Sequence, residues 1–217
     1  MKIVKIKSIS GFTLVESLVA ISILMIAIAS PMTLAQKGLS TATLSKDQMI
    51  ASFLAQDAIE AVKNIRDQIA VSQSSGGWLD GNGDQFLAPC ICTGANDDCN
   101  FDSTQRRYCN IDTTVAGFDI SSGESNPKPL RVSYNITNGI KRFLKYDYNT
   151  LNDCSVQGVG DCGEVSKFIR YINIKKTLDN GDGANEAVVS VRVSWPTSQG
   201  VQSINIQNFI YNYSENL

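Results

Sequence analysis

The chain has 217 residues, six Cys, no His, 18 % charged residues and a formal net charge of −2. This length suits one ordinary domain plus an appendage, and a hydrophobic content of 43 % supports a packed core rather than a disordered chain. The absence of His excludes Ser-His-Asp and Cys-His catalysis, His-ligated zinc or haem and an imidazole pH switch, and the near-neutral charge argues against a nucleic-acid partner. The chain opens on Lys2, Lys5 and Lys7, with no acid before Glu16. From Ser17 to Gln36 no position is charged. Twenty such residues in a helix rise about 30 Å, the thickness of a bilayer's hydrocarbon core. Basic residues ahead of this run place the N-terminus inside and the rest of the chain outside. A secretory signal peptide cut at the small residues Ala27 to Ala29 and a plain signal anchor are the rival readings of the same stretch. A lipoprotein is excluded, because the first Cys is Cys90.

The residues before the apolar run separate these readings. Gly11-Phe12-Thr13-Leu14-Val15-Glu16 joins a short basic leader, a Gly, an aromatic residue, a Glu four positions later and a long apolar helix. This combination resembles the processing motif of type IV prepilins and type II secretion pseudopilins. The resemblance implies that a membrane peptidase cuts between Gly11 and Phe12 and methylates Phe12. It also implies that Glu16, then the fifth residue, pairs with the cationic N-terminus of Phe12 in a neighbouring subunit. A lone carboxylate in an apolar helix costs about 2.5–3.5 kcal/mol at the bilayer centre, so such a residue normally has a partner or a function. The partners implied are other pilin subunits, the prepilin peptidase and the inner-membrane assembly machinery. The expected location is the inner membrane, single-pass with the C-terminal domain outside, and then a pilus or periplasmic pseudopilus. Loss of residues 1–11 leaves 16 basic against 21 acidic side chains, a formal charge of −5.

Pro31 and Gly38 are points where the first helix can kink or loosen. A second, amphipathic pattern continues to about Ala70. Ile50, Phe53, Leu54, Ala58, Val62, Ile65 and Ile69 recur at helical spacing and mark one apolar face, with Gln56, Glu60, Lys63 and Asp67 opposite. A helix from Phe12 to Ala70 would be roughly 88 Å long, too long for one globular domain. Residues 72–129 carry Gly, Pro and four of the Cys without sustained periodicity and read as a variable loop region with short strands. From Leu130 the period becomes two. Strands are expected at 130–136, 142–148, 167–174, 187–195 and 201–211, with turns at Asn138-Gly139, Asn180-Gly181 and Pro196 to Gly200. Short connections imply an antiparallel meander, covered by the Ile50–Ile69 helix face. The fold class expected is α+β, organised as a leader at 1–11, a membrane or filament-core helix at 12–36, an amphipathic helix at 37–71, the loop region at 72–129 and a sheet at 130–217. The same order of one long helix, a variable region and an antiparallel sheet is the family's architecture. The segments Asp57 to Asp67 and Val191 to Trp195 are similar to minor pilins of the PilV and type II secretion I-subunit kind.

Six Cys in an exported chain imply disulfides. Cys154 and Cys162, eight apart in a Gly-rich loop, form one expected pair. Cys90, Cys92, Cys99 and Cys109 form two more, in a connectivity left open, with a zinc site as the rival. Asp80, Asn82 and Asp84 alternate oxygen ligands as a calcium loop does, and Asp179 to Glu186 is a second acidic stretch; both also read as plain turns. Calcium is the one cofactor considered. No phosphate loop, paired-carboxylate signature or nucleophile elbow stands out, so no enzyme is expected. Asn135-Ile136-Thr137 and Asn212-Tyr213-Ser214 match the glycosylation pattern by chance. The rival function is a membrane- or filament-anchored binding or adhesin module with a ligand or calcium site at 72–129.

Overall fold

A computed structural model describes residues 11, 13–71, 79, 87, 90–92, 109–112, 119–122, 129–137, 140–148, 154, 161–177 and 186–212. Among the described residues, one helix, α1 (Leu14–Val71), precedes eight strands: β1 (Ile91–Cys92), β2 (Cys109–Asp112), β3 (Asp119–Ser122), β4 (Pro129–Thr137), β5 (Ile140–Asp147), β6 (Asp161–Lys176), β7 (Glu186–Thr197) and β8 (Gly200–Tyr211). The architecture is α+β and pilin-like, a long N-terminal helix ahead of a largely antiparallel sheet. Two compact units divide the chain between Asp47 and Gln48, inside α1.

The helix continues through Pro31 and Gly38. Proline removes one i→i−4 hydrogen bond, and the neighbouring turn gains a side-chain bond from Thr33 Oγ1 to the Ala29 carbonyl at 2.7 Å. In the second unit, Ala51, Leu54, Ala55, Ala58, Val62 and Ile65 face the sheet and join one core cluster with Ile172, Ile174, Val191 and Trp195. Phe53, expected on this face, is 64 % exposed. At 100° per residue it lies on the side opposite Ala51 and Ala55. The buried stripe is rich in Ala, with Ala51, Ala55, Ala58 and Ala61 all in the core.

Strand β6 organises the sheet. Its first half pairs antiparallel with β4 through Tyr134↔Cys162 and Arg131↔Val165, and its second half pairs with β7 from Ile169↔Ser194 to Lys176↔Ala187. Strand β8 follows β7 in unbroken register from Thr197↔Gly200 to Glu186↔Tyr211. The turn between them is Ser198-Gln199, closed by Gly200 at φ 117°. The sheet departs from a meander at one point: β6 returns beside β4, leaving β5 outside, paired to β4 alone. The connection from β5 to β6, with Cys154 within it, is long enough to reach past β4. Short strands β1 and β2 lie in the region read as loops and both dock on β6, β1 in parallel through Ile91↔Ile174 and β2 through Cys109↔Ile172.

Disulfides clip these additions in place. Cys90 joins Cys109 with Cα atoms 4.9 Å apart, holding β1 and β2 side by side along β6. Cys154 joins Cys162, also at 4.9 Å. Cys162 lies inside β6 rather than in a Gly-rich loop, because Asp161 to Val165 complete the ladder with β4. Closing a loop of this size stabilises a fold by about 3 kcal/mol. The side chains of Cys92 and Cys99 lie outside the described residues.

Arg170 is a charge inside the core, with only 2 % of its surface exposed. Its Nη1 donates to the Leu54 carbonyl at 3.1 Å and to Asp57 Oδ2 at 2.8 Å, and its Nη2 donates to the Ile111 carbonyl at 2.7 Å. One guanidinium thus ties α1, β2 and β6 together. Burial opposes its charge, but the surrounding Tyr148 and Asp57 outweigh that, so its pKa lies above the ordinary arginine value. Tyr148 packs beside it, the guanidinium carbon 5.7 Å from the ring centroid. Burial pushes the Tyr148 phenol upward, against the pull of the Arg170 charge, with Asp112 and Asp57 adding to the rise. A phenol that ionises later in the folded state holds its proton there while the unfolded chain loses its own. Stability from this source is therefore complete below the unfolded value of about 10 and falls as pH rises above it. Urea midpoints measured from pH 8 to above pH 10 should fall more steeply for the natural chain than for Tyr148→Phe; parallel curves would refute the assignment.

Candidate functional site

Within the first unit, the residues around Gly11 to Glu16 start the helix by their own chemistry. Thr13 is the N-cap. Its Oγ1 accepts the Glu16 N–H at 3.3 Å, and its carbonyl accepts the Ser17 N–H at 3.2 Å and the Ser17 hydroxyl at 3.3 Å. Thr13 and Glu16 stand in the Ser/Thr-x-x-Glu spacing of a capping box, in which a hydroxyl satisfies one of the free N–H groups of the first turn. Glu16 is exposed in that turn, where the positive end of the helix dipole favours a carboxylate. The motif therefore sets both where the helix begins and where its one early charge sits.

Gly11 is exposed, and a Cβ added there meets nothing within 4 Å. Phe12 and the basic leader lie outside the described residues. Downstream, the apolar side chains are uncovered all round the helix: Leu18 is 58 % exposed, Ile26 72 % and Leu34 69 %. A helix apolar on every side belongs in lipid or against other helices. By length and composition α1 can cross a membrane, and none of its apolar window is buried within the protein. Its hydroxyls suit that setting. Ser22 Oγ donates to the Leu18 carbonyl at 2.8 Å, as Thr33 does to Ala29, so neither donor enters hydrocarbon unsatisfied.

A family model, the prokaryotic N-terminal methylation motif, matches residues 6–30. The chain carries a type IV prepilin signature. The match covers the leader's end, the Gly11-Phe12 junction, Glu16 and most of the apolar run, and it is shared by prepilins and pseudopilins. No curated protein matches the chain, and no solved structure does. The prepilin motif and the apolar helix together indicate membrane anchoring.

The remaining candidate residues lie apart from this signature. Among the described residues, four Cys are joined in two disulfides. Asp80, Asn82 and Asp84, and the acidic stretch from 179 to 185, lie outside the described residues. Among the described residues no three of Cys, Asp and Glu gather as metal ligands. Two functional-looking residues escape the sequence reading. Thr13 was detectable from its spacing to Glu16. Arg170 stands in a strand of alternating residues, where a charge reads as solvent-facing.

Proposed function

We propose that this protein is a subunit of a type IV pilus, or of a related secretion or competence pseudopilus, matured by a prepilin peptidase. The observation that carries the reading is the methylation motif at residues 6–30 set on a helix whose apolar window is unburied among the described residues. In this reading residues 1–11 are a discarded leader, 12–36 the membrane and filament-core segment and 37–71 an amphipathic stem. Residues 72–129 and 130–217 form the exported part. The precursor sits in the inner membrane with its C-terminal domain outside, and cleavage after Gly11 frees Phe12 for methylation. The mature subunit then leaves the lipid, and its helix packs against those of other subunits, an exchange of one apolar environment for another that needs directional contacts to drive it. Glu16 supplies one by pairing with the charged N-terminus of Phe12 in a neighbour. Its part is structural, not catalytic. The similarity of Asp57 to Asp67 and of Val191 to Trp195 to PilV-like proteins favours a minor subunit.

Glu16→Ala is expected to be cleaved normally and to disappear from purified filaments. Thr13 still caps the helix in that variant, so the start of α1 is preserved. Incorporation at the natural level would remove the charge pair from the mechanism.

A further inference from the structure

The sheet has two very different long edges. Strand β5, paired only to β4, carries Lys141, Arg142 and Lys145, and its register with β4 shifts at Ser133/Tyr134. Charged side chains and a bulge are the devices that stop an edge strand from recruiting another. Strand β8, paired among the described residues only to β7, has none of them. From Gly200 to Asn212 it holds no charge and no Pro, and its twelve residues pair with β7 without a register shift.

The register also says which backbone groups β8 leaves open. Pro196 lies opposite Val201 and has no N–H, so that pair must be a non-hydrogen-bonded one. Alternation then directs the even residues of β8 toward β7. The N–H and C=O groups of Val201, Ser203, Asn205, Gln207 and Phe209 point to the open edge.

We infer that β8 pairs with β8 of a second copy of this chain, antiparallel and in register about Asn205. In that register like meets like. Asn205 faces Asn205, Ser203 faces Gln207 and Val201 faces Phe209 on the exposed side. On the core side Ile204 faces Ile206 and Gln202 faces Asn208. Shifting the register by two residues sets Ser203 against Phe209 or Val201 against Gln207. The five outward pairs give about ten main-chain hydrogen bonds. An uncharged strand meets its own copy without like-charge repulsion, whereas β5 would oppose its cations to their duplicates. The side chains that gain cover are those now left open: Val201 is 74 % exposed and Phe209 55 %, while Ile204 and Ile206 are only partly buried at the margin of the core. The contact has two-fold symmetry and closes on itself. It joins subunits in pairs, and is distinct from the repeating contact that builds a filament. It therefore stands or falls independently of the assembly role proposed above.

Site-directed cross-linking of the full chain in detergent micelles tests it. In an antiparallel hydrogen-bonded pair the Cα atoms at the axis lie about 5.5 Å apart, within disulfide reach. Asn205→Cys should give a dimer linked 205 to 205 on mild oxidation, identified by peptide mapping. Val201→Cys alone should not link to itself, but mixed with Phe209→Cys it should link 201 to 209. Gln207→Pro, which removes an outward N–H while leaving the β7 ladder intact, should abolish dimers without changing tryptophan emission. Failure of the 205 cross-link, equal self-linking at 201, or dimers that survive Gln207→Pro would each overturn the pairing.

Discussion

Intact-mass analysis of the protein recovered from membranes of the producing cell should show a chain that begins at Phe12, lacks residues 1–11 and carries one added methyl group. Gly11→Val should abolish this and leave the full 217 residues in place. The structure makes that variant a clean one. A Cβ at Gly11 meets nothing within 4 Å, and the first helical turn is closed by Thr13 two residues further on. Substitution at Gly11 therefore leaves α1 untouched, and loss of processing reports the peptidase's need for a residue without a side chain. The same measurement decides between rival readings of the apolar run. A start near Ser30 would mark a conventional signal peptide, and an uncut Met1 a simple anchor. Either result would sink the prepilin reading.

Under the proposed function, cleavage after Gly11 would also change the molecule's electrostatics. Residues 1–11 would take three Lys and no acid with them, so the remaining side chains would sum to −5. A leader of that sign holds the N-terminus on the inner side of the membrane; its removal deletes the positive anchor and leaves Glu16 as the first charged side chain. Glu16 in lipid normally needs a partner, and cleavage after Gly11 would create one, the new cationic terminus. Processing would thus turn a segment held in the membrane into one suited to helix packing.

The elements with strong periodicity were legible, and so were the β4–β5, β6–β7 and β7–β8 pairings; the β4–β6 pairing was not. Five strands from Leu130 onward, and a helix reaching the residue-70 region, follow from alternation and from helical spacing. The observed bounds differ mainly at β6, where Asp161 to Val165 look like turn residues and are recruited by β4. The place of β6 beside β4 was not legible because alternation says which face a residue takes, not which neighbour its strand chooses. An antiparallel partner on either edge of β4 satisfies the same pattern, and the long connection through Cys154 lets β6 take the inner place. Phe53 was misplaced for a related reason. Hydrophobicity favours the large aromatic, while the packing face is decided by fit, which small Ala51, Ala55 and Ala58 provide. The N-terminal signature was the most legible part because its information is local: a glycine, a capping hydroxyl, a carboxylate and an uncharged helix all lie within 26 residues of each other along the sequence, from Gly11 to Gln36.

Arg170→Ala should be the most damaging single substitution in the second unit, lowering stability by about 3–5 kcal/mol, through the cavity it leaves and the buried carbonyl it strips of a donor. Three acceptors on two elements depend on it, namely the Leu54 carbonyl, Asp57 and the Ile111 carbonyl. They differ in what they lose. The Leu54 carbonyl keeps its place in the helix, and Asp57, with half its side chain exposed, turns to water. The Ile111 carbonyl is left in the core without its donor, and the volume of a long side chain is lost beside Tyr148. Asp57→Ala should cost less, about 2 kcal/mol: it leaves the buried Arg170 charge without its ion partner, but Nη1 keeps the Leu54 carbonyl and the Asp57 side is half open to water. Arg170→Lys should recover only a small part of the loss, because one ammonium cannot reproduce a planar fork that spans α1 and β2. Arg170→Met restores volume without donors and should fall between Ala and the natural residue, separating packing from hydrogen bonding. Urea titration of the full chain in micelles, followed by tryptophan fluorescence, to which Trp195 at 1 % exposure contributes, would rank the four variants. If Asp57→Ala proved as costly as Arg170→Ala, the ion pair itself would be the stabilising element; if Arg170→Lys matched the natural chain, the three-way tie would be incidental. The expected order places the weight on the guanidinium as a connector, holding the helix stem to the strands that the Cys90–Cys109 disulfide clips onto the sheet.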